Sequence, residues 1–476
     1  MKPPAAAFAL VLGLFVVLMG ATWFRHTDVG DAQLYQVVAR HMLRGGDWLS
    51  LEYLGRPFFD HLPFGLWPIA LAQAVDERLV IPLHALFSVL TVVLVGVLGH
   101  RLQGPWAALA SMFVLATTQM YFFQTSYPTL DPLLLLLTTA SVIPVLTGEG
   151  TRAQWLTAWL FGALAVAVKG PFGLLPLGGA IGARVLVDRS WRHLGWGALV
   201  LALAIAPVAL FLTLRADWRE GYGVQQLLAS ASGARTDGAV GYALAFKFIA
   251  DRFWPWFPLL FLGVAAALRQ GDPRVSACRK VAVACALVLI GLSLPRRKLW
   301  HHTLVAYPLL SVLIGVAVAP RLAAWFGDAV GRRRLLGGLI VALALAVVSG
   351  AGGVDRLLMA RPCVLATDFS EALRLVHAGD TVAVTFTNVF GEGSTTSSAT
   401  TASSIPGSTT DPTIGTVGST TTPGGAGPVP SSPSGGGLPV TGSGIGVALW
   451  LALAGVIGGG ALAASTRRRR AFVRRA

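Results

Sequence analysis

Apolar residues do not alternate along this chain. They arrive in long runs separated by short polar breaks. A helix that crosses a bilayer needs about 20 such residues. The runs near 6–24, 80–99, 104–121, 130–147, 155–168, 171–187, 195–214, 253–268, 278–294, 303–319 and 335–350 predict about eleven core spans, and 446–465 predicts a terminal one. The two short runs flanking Lys169 read either as two spans or as a broken, re-entrant hairpin. The first run exceeds the roughly 7–15 residues of a signal-peptide core, and no A-x-A site follows it, so it reads as an uncleaved first span. The fold class this pattern predicts is an all-α polytopic membrane protein.

One long polar stretch, residues 25–79, interrupts the pattern. Within it, Asp31 to Arg44 carries Leu34, Val37, Val38 and Met42 at helical spacing, which predicts an amphipathic helix. Asp28, Asp31 and Tyr35 can then share one face. Phe58 to Ala74, with Pro63, Trp67 and Pro68, predicts a further short helix or turn. Both pieces are expected on the membrane surface rather than across it. Asp28, Asp31, Asp47, Glu52 and Asp60 stand here beside Arg40, Arg44 and Arg56, and ionisable groups near a bilayer are functional candidates because they are costly there.

Composition agrees with the span count: 54% of residues are hydrophobic and 12% charged, against roughly 25% charged in soluble proteins. The net charge is +15, yet most of the arginine falls in short loops and in Arg467 to Arg470. That distribution orients a membrane protein and gives no reason to expect nucleic-acid binding. The three cysteines form no disulfide framework, and Cys278 and Cys285 read as small buried hydrophobes. With the N-terminus in the cytoplasm, the short inner loops are densely basic. Asp31, Asp131, Lys169 and the run Arg296, Arg297 and Lys298 then all fall on the outer face. After residue 390 the chain turns to Ser, Thr, Gly and Pro, which cannot bury a core. The expected organisation is a core over 1–350, a short outer segment over 351–390 with one strand-like piece, a disordered linker over 391–437, and an anchoring segment over 438–476.

Four pieces recur in order on that outer face: D-A-Q-L-Y followed by H-M-L-R-G-G-D-W-L and G-R-P-F-F-D-H-L-P-F-G-L-W in the first loop, T-L-D-P-L-L-L at 129–135, V-K-G-P at 168–171, and R-R-K-L-W-H-H-T-L-V-A-Y-P at 296–308. Together they resemble the GT-C class of lipid-linked-sugar glycosyltransferases, in particular the aminoarabinose transferases of lipid A and the protein O-mannosyltransferases. The resemblance covers about residues 6 to 350. It implies a multi-pass enzyme of the bacterial cytoplasmic membrane, its active site facing outward, that moves a sugar from a polyprenyl-phosphate donor to a lipid, glycan or protein acceptor. The sequence departs from the family in two places. Asp31-Ala32 stands where the family usually has Asp-Glu, and His61-Leu62-Pro63 where it usually has Lys-Pro-Pro.

In that chemistry the phosphate leaves an anomeric carbon with oxocarbenium character, and a carboxylate helps remove the acceptor proton. Asp31 is the candidate base and Asp131 a second site carboxylate, although each also fits a helix N-cap. Lys169 either snorkels to the interface or binds the donor phosphate with Arg296, Arg297 and Lys298, since charge-assisted contacts to phosphate are strong. Asp28, Tyr35, Asp60, His61 and Tyr307 are candidate supporting groups. His61, His301 and His302 are a weak metal-ligand set, because adjacent histidines rarely ligate one metal. No cofactor is fixed, and a divalent metal stays open.

The C-terminus resembles a second family. Leu438, Pro439, Val440, Thr441 and Gly442, then an apolar segment and an arginine tail, are similar to the sorting signal of sortase-anchored surface proteins, which implies sortase as a partner. Two rival functions stand beside the transferase: a transporter or flippase of lipid-linked precursors, which would want polar groups within the spans and inverted repeats, and a wall-anchored surface protein fused to an inactive core.

Overall fold

The computed structural model describes residues 2–23, 31–228, 243–269, 273–295 and 300–359. Asp28, Arg296, Arg297, Lys298, the strand-like piece, the linker, Leu438 to Gly442 and the terminal span lie outside the described residues. Contacts divide the chain into one unit of Met1–Ala360 with Gly444–Ala476 and another of Arg361–Ser443. The described residues all belong to the first.

Helices α1 (Ala5–Trp23), α4 (Val80–Gln103), α5 (Pro105–Ala116), α7 (Asp131–Thr147), α8 (Arg152–Lys169), α9 (Leu174–Asp188) and α10 (Trp191–Leu214) coincide with the first seven apolar runs. After the three-residue α11 (Ala216–Trp218), a π-helical stretch Arg219–Leu228 and α12 (Leu244–Arg252), the last four runs appear as α13 (Phe257–Leu268), α14 (Pro273–Ser293), α15 (Tyr307–Phe326) and α16 (Ala329–Met359). Five helical stretches among the described residues are long and apolar enough to cross a membrane by length and composition, and α1, α5, α7 and α13 are shorter apolar helices. The chain is a polytopic helical membrane protein.

One run is cut short. The expected span 104–121 stops at Ala116 and resumes as α6 (Gln119–Gln124). Thr117 and Thr118 turn their hydroxyls back onto Phe113 O (2.6 Å) and Val114 O (2.7 Å). Gln119 N then bonds to Trp254 O at 3.0 Å, and Trp256 Nε1 donates to Thr117 Oγ1 at 3.1 Å. A distant loop therefore supplies the partners that the broken helix gives up.

The region around Lys169 resolves as two antiparallel helices. Lys169, ending α8, meets Asp131 at the start of α7, while Arg184 of α9 donates to Val145 O near the end of α7. α8 and α9 thus run in opposite directions beside α7, joined by a 3-10 turn over Gly170–Gly173 in which Gly170 takes φ +58°. They do not pair as a tight hairpin: α8 packs on α7 and α10, and α9 on α14.

The first loop folds as α2 (Asp31–Gly45), a two-residue antiparallel ladder β1 (Glu52–Tyr53) with β2 (Arg56–Pro57), a 3-10 turn Pro63–Gly65, and α3 (Trp67–Val75). The apolar stripe of α2 packs inward through Val37, Val38 and Met42, with Leu34 only partly buried. Gln73 Nε2 donates to Gln36 O at 3.1 Å and Trp67 Nε1 to Trp48 O at 2.9 Å, tying α3 to α2 and to the loop between them.

Small residues let the spans approach where α4, α5 and α15 meet. A Cβ at Gly99 would stand 2.9 Å from Ala107 O, and one at Gly315 would collide with the Ser111 hydroxyl. Close backbone approach of this kind drives helix association in lipid. Gly315→Val is therefore expected to destabilise the bundle by about 1–3 kcal/mol through overpacking. A lowered thermal midpoint in detergent checks this, and an unchanged midpoint would mean that the node is loose.

Candidate active site

Two helix termini carry the centre of the site. α7 starts at Asp131 with Pro132 in its first turn, and Leu130, not Asp131, is the cap residue. The Asp131 carboxylate is therefore turned elsewhere. Its Oδ1 accepts from Lys169 Nζ at 2.5 Å, and its Oδ2 from Gln124 Nε2 at 3.3 Å. Lys169 is the last residue of α8, where the chain leaves helical geometry at φ −142°. Both partners are buried, with side-chain exposures of 8% for Lys169 and 5% for Asp131. Neither charge snorkels. Each compensates the other in a place where one alone would be costly.

The first loop closes over this pair. Gly65 sits so close to the ends of α7 and α8 that an added Cβ would stand 2.8 Å from Val168 O and 3.2 Å from Leu130 Cδ2. Leu62 and Leu66 on either side are fully buried. This packing sets His61 above the pair, where its Nε2 shares a 2.6 Å hydrogen bond with the Tyr35 hydroxyl from α2. The two rings meet edge to face, centroids 5.3 Å apart.

The electrostatics show which groups share the site. The Tyr35 hydroxyl is raised well above its usual range, first by burial and then by the charges of Asp31, Asp131 and Asp60. The His61 imidazole is pushed down to about 3, first by desolvation and next by the Lys169 cation. His61 is therefore neutral at physiological pH and acts as a hydrogen-bonding group. His301 and His302 arrive on the 3-10 segment Trp300–Ala306. The His302 ring packs at a tilt on Phe172, centroids 4.2 Å apart, within the turn after Lys169, and His301 lies within electrostatic reach of Lys169, Asp131 and Asp31.

Among the expected site residues that are described, Asp31, Tyr35, Asp60, His61, Asp131 and Lys169 come together at one end of the bundle. Asp31 is exposed as the first helical residue of α2. Tyr307 opens α15 but is fully buried and packs its ring on Phe253 at 4.9 Å. Among the described residues, no group of three His, Cys, Asp or Glu side chains could hold a metal ion. His61, His301 and His302 adjoin the pair without forming a ligand set.

No motif or periodicity singled out Tyr222. It lies buried in the π-helical stretch after α10, its hydroxyl against the α-carbon of Gly170, so that a Cβ there would collide with it. π-helical turns often mark functional sites. The same region braces the first loop. Trp218 Nε1 donates to Leu49 O at 2.9 Å, Arg215 Nη2 to Ser50 Oγ at 2.9 Å, and Phe59 meets Trp218 at 5.1 Å.

Comparisons with known proteins set this polytopic helical bundle, whose long structured first loop folds over a buried ion pair, beside membrane transferases. Residues 72–216 match the family Dolichyl-phosphate-mannose-protein mannosyltransferase. The chain is similar to the undecaprenyl phosphate-alpha-4-amino-4-deoxy-L-arabinose arabinosyl transferase of Pseudomonas aeruginosa, 29% identical over 339 residues, which cover 67% of this chain and 61% of that protein. A transferase of the same name from Pseudomonas paraeruginosa is 30% identical over 315 residues, covering 62% and 56%. The chain thus spans about three-fifths of the length of these relatives. Among solved structures, ArnT from Cupriavidus metallidurans bound to undecaprenyl phosphate superposes with a TM-score of 0.56 at 21% identity, over 75% of this chain and 73% of that one. Its apo form gives a TM-score of 0.54 at 20% identity, over 75% and 72%. The core has the fold of the aminoarabinose transferase type of GT-C glycosyltransferases, as the four outer-face motifs implied.

Two predictions follow from this geometry. Lys169→Met or Asp131→Leu alone is expected to destabilise the protein by about 3–5 kcal/mol, because each leaves a buried charge uncompensated. The double variant should recover much of that loss, and equal midpoints for single and double variants would show that the two charges are not coupled. The second concerns pH. The folded His61 pKa of about 3 lies below the ordinary value of about 6.5. The unfolded chain therefore binds the extra proton between those values, and the His61 contribution to stability falls as pH drops from about 6.5 toward 3. Thermal midpoints of wild type and His61→Gln at pH 7 and pH 5 check this: the variant should lose less on acidification.

Proposed function

We propose that this protein transfers a sugar from a polyprenyl-phosphate carrier to a lipid, glycan or protein acceptor, at the face of the cytoplasmic membrane that lies outward when the N-terminus is inside. The observation that carries the reading is the buried Asp131–Lys169 pair beneath Tyr35 and His61, on a fold shared with a transferase solved in complex with undecaprenyl phosphate. By the names of its relatives, the donor class is undecaprenyl phosphate carrying an amino-deoxy pentose.

In this reading the bond between the anomeric carbon and the phosphate oxygen breaks, and the carrier phosphate departs with the electron pair. An acceptor oxygen bonds to the anomeric carbon and gives its proton to Asp31, which stands exposed at the rim of the site. Lys169, held by Asp131, offers positive charge to the leaving phosphate, with Arg296, Arg297 and Lys298 as further phosphate contacts. Tyr35 and the neutral His61 supply hydrogen bonds where the resembled family pattern usually has a lysine. Asp28 and Tyr307 would act only as supports. The transporter reading is less favoured, because the polar cluster lies at one end of the bundle rather than at mid-span. The sortase partnership rests on residues 438–442 alone.

Transfer of labelled sugar from a lipid-linked donor, measured in membranes, tests the proposal. Asp31→Asn is expected to lower turnover by about 10²–10⁴-fold, the usual worth of a general base, while truncation after residue 390 leaves transfer intact. Unchanged turnover in Asp31→Asn would remove Asp31 from the mechanism. Movement of the donor across the bilayer without a glycosylated product would favour the transporter. Lys298→Ala should weaken donor binding more than His61→Ala, and the reverse order would return the phosphate site to the first loop.

A further inference from the structure

The opposite end of the bundle holds a second polar cluster. Arg184 of α9 donates through Nη1 to Val145 O at 2.8 Å. Val145 stands about 21 Å along α7 from Asp131 at 1.5 Å per residue. The Arg184 side chain is buried, with the residue 5% exposed. One carboxylate serves two cations here. Asp188 Oδ1 accepts from Lys280 Nζ at 2.8 Å, while its Oδ2 stays 3.8 Å from Arg184 Nε, beyond hydrogen-bonding distance.

Three buried nitrogens in this cluster have no hydrogen-bond partner: Arg184 Nε, Trp155 Nε1 and His193 Nδ1. The first two can only donate. They converge. A Cβ at Gly150 would stand 2.9 Å from His193 Nε2 and 3.4 Å from Arg184 Nη2, and the Trp155 and His193 rings lie 6.1 Å apart. Two cations against one carboxylate leave an excess positive charge, and unsatisfied buried donors are costly. An acceptor with several anionic oxygens would answer both deficits.

We propose that this cluster, at the junction of α8, α9, α10 and α14, binds a phosphate group. Lysine and arginine set between helix ends at a membrane face bind lipid headgroups in this way, and guanidinium–phosphate contacts are strong and directional. A phospholipid headgroup and free phosphate share this chemistry. The site is separate from the Asp131–Lys169 centre and does not depend on the transferase reading.

The test uses the full chain in phosphatidylcholine nanodiscs, with phosphatidylglycerol or inorganic phosphate added separately. Lipid retention by native mass spectrometry and the thermal midpoint are the readouts. Wild type is expected to retain phosphatidylglycerol and to be stabilised by it, with affinity about tenfold weaker in Arg184→Gln and in Lys280→Gln. Lys280 is 20% exposed in its side chain, so its variant keeps the proposal testable if Arg184→Gln fails to fold. Stabilisation by inorganic phosphate alone, lost in the same variants, would support the site and identify free phosphate as its ligand. No effect of either probe, or equal effects in wild type and both variants, would overturn the proposal.

Discussion

The ion pair of Asp131 and Lys169 is the constraint from which the rest of the site follows. Two charges withdrawn from water are tolerated only if they meet at close range with their remaining bonding capacity satisfied. That requirement fixes the start of α7 against the end of α8, and Gln124 completes the carboxylate from α6. Once the two ends are level, the first loop can pack Gly65 onto them and bring His61 and Tyr35 overhead. The turn after Lys169 then presents Phe172 to His302. Each of these contacts presupposes the pair.

Much of the architecture was legible because bilayer length and helix rise together set the size of an apolar run. The amphipathic α2 was legible for the same kind of reason: Val37, Val38 and Met42 recur at its inner face. Thr117 shows where this reasoning stops. The local threonine back-bonds do not mark a break by themselves, and the replacement partners come from Trp254 and Trp256, more than 130 residues away. Asp131 left a different ambiguity. An acid before a proline fits a cap as well as a site carboxylate, and only the three-dimensional position of Lys169, 38 residues on, separates the two. Tyr222 carried no signal at all, because its role depends on the absence of a side chain at Gly170.

His61 shows how the choice of side chain at one position sets the local electrostatics. A lysine at that position would add a second cation beside Lys169. The imidazole is instead desolvated and repelled by Lys169, and stays neutral. The site keeps a hydrogen-bonding group at that point, with Lys169 as the cation beside it.

The bond from Trp218 to Leu49 joins residues 169 apart in sequence, and this bears on how the protein is made. Chain synthesis delivers the first loop well before α10 and its following turn exist. During that interval Leu49 O lacks the Trp218 donor and Ser50 Oγ lacks the Arg215 donor. The loop can adopt its final form only when the seventh span has been inserted and Arg215 and Trp218 have emerged at its far end. α7 and α8, by contrast, leave the ribosome together, and as an inserted hairpin they carry a charge pair rather than two separate charges. The order of synthesis therefore builds the neutral centre first and its cover last.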